Sequence, residues 1–393
     1  KTIYTRDRNY GIIMSTLHVF VYVCAAQEDV FAGVRQSLEK TDPQQHCITN
    51  LYLEDQEYDY ISHVEFSIRK YARFLFYGSI FKKIEGLIIE ILQTHGMDQP
   101  VVFYLADEGV WAELIRDIIK RHAHTRTSLL VNVQHGLMGL GIPSLLWLRK
   151  SLNSIARLFS GYPIFGYGFG GGACDIHLVY GEKEVEFLKT RQIKLALSTP
   201  TLIKHDLRQQ YQKIVNNQAV DPGLVLVVLP ACVPGSDMRC NLPELLNTIS
   251  PVVQWVEENT EYQILVRPHP GRRDRDTINL INQSALGPFV EIDLEKQLIS
   301  GLSRAAFVMG AQSTVLFDSL CLGKVPIEIR SDCFDEALPF PHEVIDVRSA
   351  FADKLVHVLS SKTREHYSSI LNKPELDWKH EIERFITQCP DTN

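Results

Sequence analysis

Short uninterrupted apolar runs alternate along this chain with stretches whose apolar residues fall three and four apart. Runs of the first kind suit strands buried on both faces, and stretches of the second kind suit helices with one apolar side. HVFVYVCA (18–25) predicts a buried strand, AQEDVFAGVRQSLEK a helix, and HCITNLYLE (46–54) a second strand. From Ile61 to about Thr94 the pattern is helical. QPVVFYLADEGVWAELIRDIIKRH then predicts a strand, a polar turn at Asp107–Glu108–Gly109 and an amphipathic helix. SLLVNVQHGLMG predicts a strand with a polar tip at Gln134–His135–Gly136, and CDIHLVYGEKEVEFLKT another strand and helix. After Tyr211 the segment QKIVNNQAVDPG turns polar and ends in Pro222–Gly223, as a domain boundary would. A second alternating series follows, with strands at LVLVVLP, YQILVRP, FVEID, AAFVMGA and VPIEIR and helices between them. The tail ELDWKHEIERFITQ predicts one more amphipathic helix, expected to cross back onto the first half.

This alternation specifies an α/β protein with parallel sheets. The expected domains are a Rossmann-like acceptor domain at 1–215, a Rossmann-like nucleotide-sugar domain at 224–375, and a C-terminal helix within 376–393. Two such halves facing across a cleft are similar to the GT-B glycosyltransferase plan. Residues 139–173 differ in character. An apolar helix carrying Arg149, Lys150 and Arg157 leads into an aromatic, glycine-rich stretch. The plainer reading is a core helix followed by a mobile loop, and the sharper one is a surface for a membrane or a lipid-linked acceptor. GYGFGGG follows no strand and opens no clear helix, so it is not a phosphate-binding fingerprint.

Composition trims the function classes. With 47 acidic against 40 basic side chains the net charge is −7, which argues against a nucleic-acid-binding protein. The 8 cysteines show no CxxC pair, and several sit in apolar runs, as buried thiols in a reducing cytoplasm would. No apolar stretch is long enough to cross a bilayer, so the expected location is cytoplasmic, with peripheral contact at the inner membrane face. The chain opens on Lys1, as a shortened or processed chain would, and its first residues lack a signal-peptide plan.

The candidate chemistry stands where strands end, the usual ligand position in open α/β sheets. His269, between Pro268 and Pro270 in RPHPG, is held at the end of a predicted strand. A positioned imidazole there can donate to a phosphate oxygen or offset charge on a departing phosphate. Gln312, Ser313 and Thr314 follow AAFVMGA at a predicted helix start, whose exposed N–H groups suit both capping and phosphate binding. Asp107 and Glu108 supply a carboxylate for general-base work, or they simply complement a helix dipole. No aspartate pair of the kind that holds a metal ion appears at a strand end, and no GxSxG elbow is present.

In this order and placement the motifs resemble those of bacterial sialyltransferases. Asp107–Glu108–Gly109 is similar to their acidic motif, His269–Pro270 to their HP motif, and Ser313–Thr314 to their serine–threonine motif. The resemblance covers about residues 100–330. It implies a metal-independent, inverting transferase that moves a nonulosonic acid from a CMP-activated donor to a lipopolysaccharide or capsule acceptor, without a cofactor. Asp107 would then be the base and His269 the phosphate contact. Arg267, Pro270, Gln312, Ser313 and Thr314 would bind the donor, with Glu291 as a cytidine or ribose contact. Glu108, Gly109, Gln134 and His135 would line the acceptor side. The Gln134–His135–Gly136 tip departs from that signature and resembles the Kdo transferases of capsule and lipopolysaccharide synthesis, some of which retain configuration. RPHPG with QSTVLFDSL also resembles glycerol- and ribitol-phosphate polymerases, which use CDP-alcohols. A scaffold protein that has lost activity is the non-catalytic alternative.

Overall fold

In the computed structural model the described residues are 16–22, 28–40, 46–53, 68–94, 99–106, 109–122, 128–134, 146–167, 169–191, 193, 195–215, 223–230, 241–269, 275–295, 297–311, 313–332, 338, 340–370 and 378–388. The chain divides into two compact units. Unit 1 comprises Lys1–Val179, Glu184–Ile203 and Leu376–Asn393, and unit 2 comprises Tyr180–Lys183 and Lys204–Glu375.

In chain order, the elements as far as Ile203 are β1 (Thr16–Tyr22), α1 (Glu28–Glu39), β2 (His46–Tyr52), α2 (Ile68–Thr94), β3 (Val101–Leu105) and α3 (Val110–His122). They continue with β4 (Ser128–Val133), α4 (Leu146–Ser160), β5 (Ile176–Val179), α5 (Glu182–Thr190), β6 (Leu195–Ser198) and α6 (Pro200–Ile203). The unit 1 sheet runs β2-β1-β3-β4-β5-β6, with every pairing parallel. Its central strands are buried on both faces, which is why they read as continuous apolar runs. Leu17, Val19 and Val21 pack with Ile84 and Ile88 of α2 and Trp111 of α3. On the opposite face Phe20 and Tyr22 meet the Phe31 ring at 5.4 and 5.2 Å.

From Lys204 onward come α7 (His205–Val215), β7 (Leu224–Val228), α8 (Leu242–Asn259), β8 (Gln263–Arg267), α9 (Arg275–Gln283), β9 (Glu291–Ile292) and α10 (Leu298–Arg304). They are followed by β10 (Phe307–Gly310), α11 (Thr314–Cys321), β11 (Val325–Arg330), β12 (Glu343–Asp346), α12 (Ala352–Val358) and α13 (Ser361–Ile370). The last helix, α14 (Trp378–Gln388), groups with unit 1. The unit 2 sheet is again all parallel, in the order β12-β11-β10-β7-β8-β9. Counted within the unit this is the doubly wound Rossmann order, which reverses direction between β7 and β10.

Three features depart from the sequence reading. α7 groups with unit 2 rather than with the first half. Lys204 just before it pairs with Asp318 at 2.7 Å, and the Tyr211 ring lies 5.2 Å from Lys324 Nζ. α4 is no core helix, since Leu158 and Phe159 are 86% and 89% exposed. The stretch after it is pinned rather than loose. Buried Asn153 accepts from the N–H groups of Ile164 and Phe165, both at 2.8 Å, and donates to the Phe165 carbonyl at 2.8 Å.

Candidate functional site

Within unit 2 the site begins from strand register. Arg267 of β8 pairs with Val228 of β7, Val228 with Gly310 of β10, and Gly310 with Glu328 of β11. The chain leaves β7 toward β8 but leaves β10 toward β11, so a crevice opens past the carboxyl ends of β7 and β10. Gly310 fits there because it lacks a side chain. A Cβ at this position would lie 2.9 Å from the Val228 carbonyl oxygen and 2.8 Å from Val228 Cγ2.

Ser313 stands on the rim of that crevice, buried and in extended conformation, as the N-cap of α11. Its Oγ accepts from the Val315 N–H at 3.3 Å, and Thr314 opens the helix. The start of α8, which follows β7, is closed by a capping box. Asn241 accepts from the Glu244 N–H at 3.0 Å, and Glu244 accepts from the Asn241 N–H at 3.2 Å. The N-terminus of α11 therefore ends at the carboxyl edge of β10, and its dipole favours an anion there. His269, exposed just past β8, lies along the same edge. β8 and β10 flank β7, so their ends are separated by two strand spacings, about 10 Å.

Arg267 does something other than what the sequence suggested. It is 4% exposed and ion-paired with Asp293, and it donates to the Glu295 carbonyl at 2.9 Å. Asp293 Oδ1 in turn accepts from the Glu295 N–H at 2.9 Å. This guanidinium straps the loop after β9 to the end of β8, so it supports the rim as scaffold. Glu291 is exposed on β9, at the sheet edge, two strands from the crevice. Pro270 and Gln312 lie outside the described residues.

Besides Asp293, two more acidic groups of this unit are buried. Glu328 is 1% exposed, and its Oε2 accepts from Arg330 at 2.6 Å and sits 3.0 Å from His342 Nε2. Its Oε1 has no hydrogen-bond partner among the described residues. Asp318, read as a helix-face residue, is buried beside Lys204. Burial disfavours the Lys204 ammonium, but the Asp318 charge outweighs that and raises its pKa. An alternating strand such as VPIEIR gives the only sequence hint for Glu328.

In unit 1 the sheet reverses direction between β1 and β3. β3 ends at Leu105 and α3 begins at Val110, and Asp107 and Glu108 between them lie outside the described residues, as does His135. Gly109 is described, and the glycine-rich stretch passes directly over it. A Cβ on Gly166 would lie 2.6 Å from the Gly109 carbonyl carbon and 2.8 Å from Val110 N. Gln134, expected at an open mouth, is fully buried and donates to Glu184 at 2.5 Å. The reason is that its N–H continues the pairing with β5, to the Leu178 carbonyl at 3.0 Å, and its side chain meets Glu184 on α5. Among the described residues no three His, Cys, Asp or Glu side chains converge as metal ligands. Among the same residues no helix is long and apolar enough to cross a membrane.

No protein-family model matches the chain, and no curated protein sequence matches it. Solved structures do. A putative UDP-N-acetylglucosamine 2-epimerase from Listeria monocytogenes superposes with a TM-score of 0.58 at 12% identity, covering 96% of this chain and 98% of the other. Trehalose-6-phosphate from E. coli bound with UDP-2-fluoro glucose gives 0.56 at 10% identity, covering 96% and 100%. The S. aureus MnaA–UDP co-structure gives 0.52 at 10% identity, covering 97% and 99%. At such identities the likeness is one of fold. The chain has the GT-B fold, built from two Rossmann-like domains.

Proposed function

From the GT-B fold as premise, we propose that the protein is a glycosyltransferase that takes a nonulosonic acid from a CMP-activated donor to a surface-glycan acceptor. The observation that carries the reading is the carboxyl edge of the unit 2 sheet. There the capped start of α11 at Ser313 and Thr314 and the end of β8, two residues before His269, lie on either side of β7. In this reading the helix N–H groups and Ser313 hold the donor phosphate. His269 donates to it and offsets the charge that develops as the nucleotide leaves. Asp107 takes the proton of the acceptor hydroxyl, with inversion at the transferred carbon and without a metal ion. Glu291 contacts the cytidine or ribose, and Glu108, Gly109 and His135 border the acceptor.

A second reading has its own support, because the similar structures include a UDP co-structure and a UDP-sugar epimerase by name. In that reading the same edge holds a uridine nucleotide. Incubation with CMP-sialic acid, CMP-Kdo, CDP-glycerol and UDP-N-acetylglucosamine, followed by measurement of nucleotide release and of epimerisation, separates the two. CMP release from CMP-sialic acid is expected, and turnover of the UDP-sugar alone would overturn the proposal. Asp107→Asn is expected to lower turnover about 10²–10⁴-fold while nucleotide affinity holds.

The acceptor is proposed to be membrane-borne, reached through α4. Trp147, Ile155, Leu158 and Phe159 are exposed on this helix, which carries Arg149, Lys150 and Arg157 and no acidic residue. Arg157 is tied to Glu113 and Asp117, so the exposed apolar face is joined by Lys150 as its cation, and such a face in a chain of net charge −7 suits the surface of an anionic bilayer. Sedimentation with anionic vesicles, lost on Leu158→Ser/Phe159→Ser, is the expected result. A protein that stays in the supernatant would refute this contact.

A further inference from the structure

At the opposite, amino-terminal edge of the unit 2 sheet lies a cavity of about 590 Å³ that the proposed reaction does not use. Ala306 and Lys324, the residues just before β10 and β11, form its floor together with Tyr211 of α7. One face of α13, with Ser361, Arg364 and Ser368, forms a wall. Gly323, at a φ of 69°, completes the turn that delivers Lys324 to this position, and the Lys324 N–H bonds back to the Ser319 carbonyl at 2.9 Å.

The cavity holds two cations and little to balance them. Lys324 is 6% exposed, and its ammonium makes one long contact, 3.4 Å, to the Ser303 carbonyl and lies 5.2 Å from the centre of the Tyr211 ring. Arg364 rests over the Phe307 ring at 5.8 Å, and its buried Nε–H has no hydrogen-bond partner among the described residues. Glu365, the one carboxylate lining the cavity, is exposed, and among the described residues it forms no ion pair with either cation. A buried charge without a partner is costly, and an ammonium and a guanidinium that share a cavity add mutual repulsion. Burial accordingly pulls the Lys324 pKa down to about 8.

We propose that this cavity is a second ligand site, for a small organic phosphate whose oxyanion sits between Lys324 and Arg364. The charge set calls for a di-anionic group, and guanidinium with ammonium is a common phosphate pair. The volume exceeds what a bare ion fills and lies in the range of small-molecule sites. Hydroxyls from Ser361, Ser368, Ser369 and Tyr211 on its lining suit a polyhydroxylated body such as that of a sugar phosphate. The site stands at the other end of β10 from Ser313, so a ligand here leaves the nucleotide edge open.

Titration calorimetry and thermal shift on the full chain test it with sulfate, inorganic phosphate, glucose 6-phosphate and glucose. Saturable binding of the phosphate ester, tighter than inorganic phosphate, with none for glucose, is expected. Lys324→Met and Arg364→Gln should each weaken it roughly tenfold or more, and His269→Ala should leave it unchanged. Lys324→Met removes a charge the empty site does not balance, so the unliganded variant should unfold no earlier than wild type. Sulfate, which does not titrate in this range, should bind more weakly as pH rises through about 8 in wild type. Lys324→Met should lose that dependence, with Tyr211, Arg364 and Glu365 the other titratable groups facing Lys324. Absence of saturable anion binding, binding unaltered by both cavity variants, or loss of binding in His269→Ala would each overturn the proposal. Equal affinity for inorganic phosphate and the ester would overturn the organic part of it.

Discussion

The two sheets are alike in strand number and direction and opposite in where they keep their polar groups. In unit 1 polarity lies inside the strands. His18 of β1 bridges Tyr104 Oη at 2.9 Å and His46 Nδ1 at 3.0 Å, and Asn132 on β4 and His177 on β5 are fully buried; Asp175, at the entry to β5, adds to them by accepting from Arg116 at 2.6 Å and from the Leu130 N–H at 2.9 Å. In unit 2 the interiors of β7, β8 and β10 are apolar, Glu328 buried in β11 is the exception, and Arg267 and Ser313 stand at strand ends. Buried polar groups specify one register at some expense of stability, whereas groups at strand ends leave the sheet interior apolar. The contrast is in keeping with the proposed placement of the nucleotide on the second unit.

Asp175→Ala attacks the first pattern where it matters most. It strips the half-buried Arg116 guanidinium of its carboxylate and the buried Leu130 N–H of its acceptor, and is expected to cost roughly 2–4 kcal/mol in a urea melt. A loss below about 1 kcal/mol would mean that the contrast between the units is cosmetic. Gly310→Ala probes the second pattern. Its methyl would meet Val228 backbone, so about 1–3 kcal/mol of stability should go, along with nucleotide affinity. Retention of both would show that the β7–β10 crevice tolerates a side chain.

Acid should separate the units as well. Burial, followed by the nearby His46, lowers the His18 pKa to about 3. The unfolded chain binds that proton below about 6.5 and the folded chain does not, so the stability is complete above 6.5 and falls toward pH 3. The slope from this group is about 1.4 kcal/mol per pH unit. His18→Gln is expected to flatten the pH dependence of the melt, and an unchanged slope would remove His18 from the account. Ser313→Ala is the mildest test. Loss of the cap should cost about 1 kcal/mol, and a matching fall in CMP affinity would show that cap and ligand share the same N–H groups.

Most of the strand–helix rhythm was legible because interior parallel strands must be apolar throughout, as VVFYL and LVLVV are. What escaped lies at the margins. β6 and β12 are four-residue edge strands with half-exposed sides, so LALS and EVID show no apolar run, and α12 and α13 carry too little apolar periodicity to stand out. The cap at Ser313 could be read from local order. The Arg267–Asp293 strap could not, because its partners are 26 residues apart and only the β8–β9 pairing brings them together. Lys204–Asp318 was hidden for the same reason.

The back-to-back glycines of unit 1 carry a last implication. Because Gly166 presses on the peptide joining Gly109 to Val110, the first turn of α3 is seated by a segment more than fifty positions downstream. A methyl at 166 would act as a wedge there, and the displaced backbone would be the one that directly follows Asp107 and Glu108. With Asp107 as the proposed base, random mutagenesis screened for turnover should therefore recover lesions in this distant clasp, at Gly166 and at the Asn153 that holds the neighbouring Phe165, as readily as in the acidic pair itself.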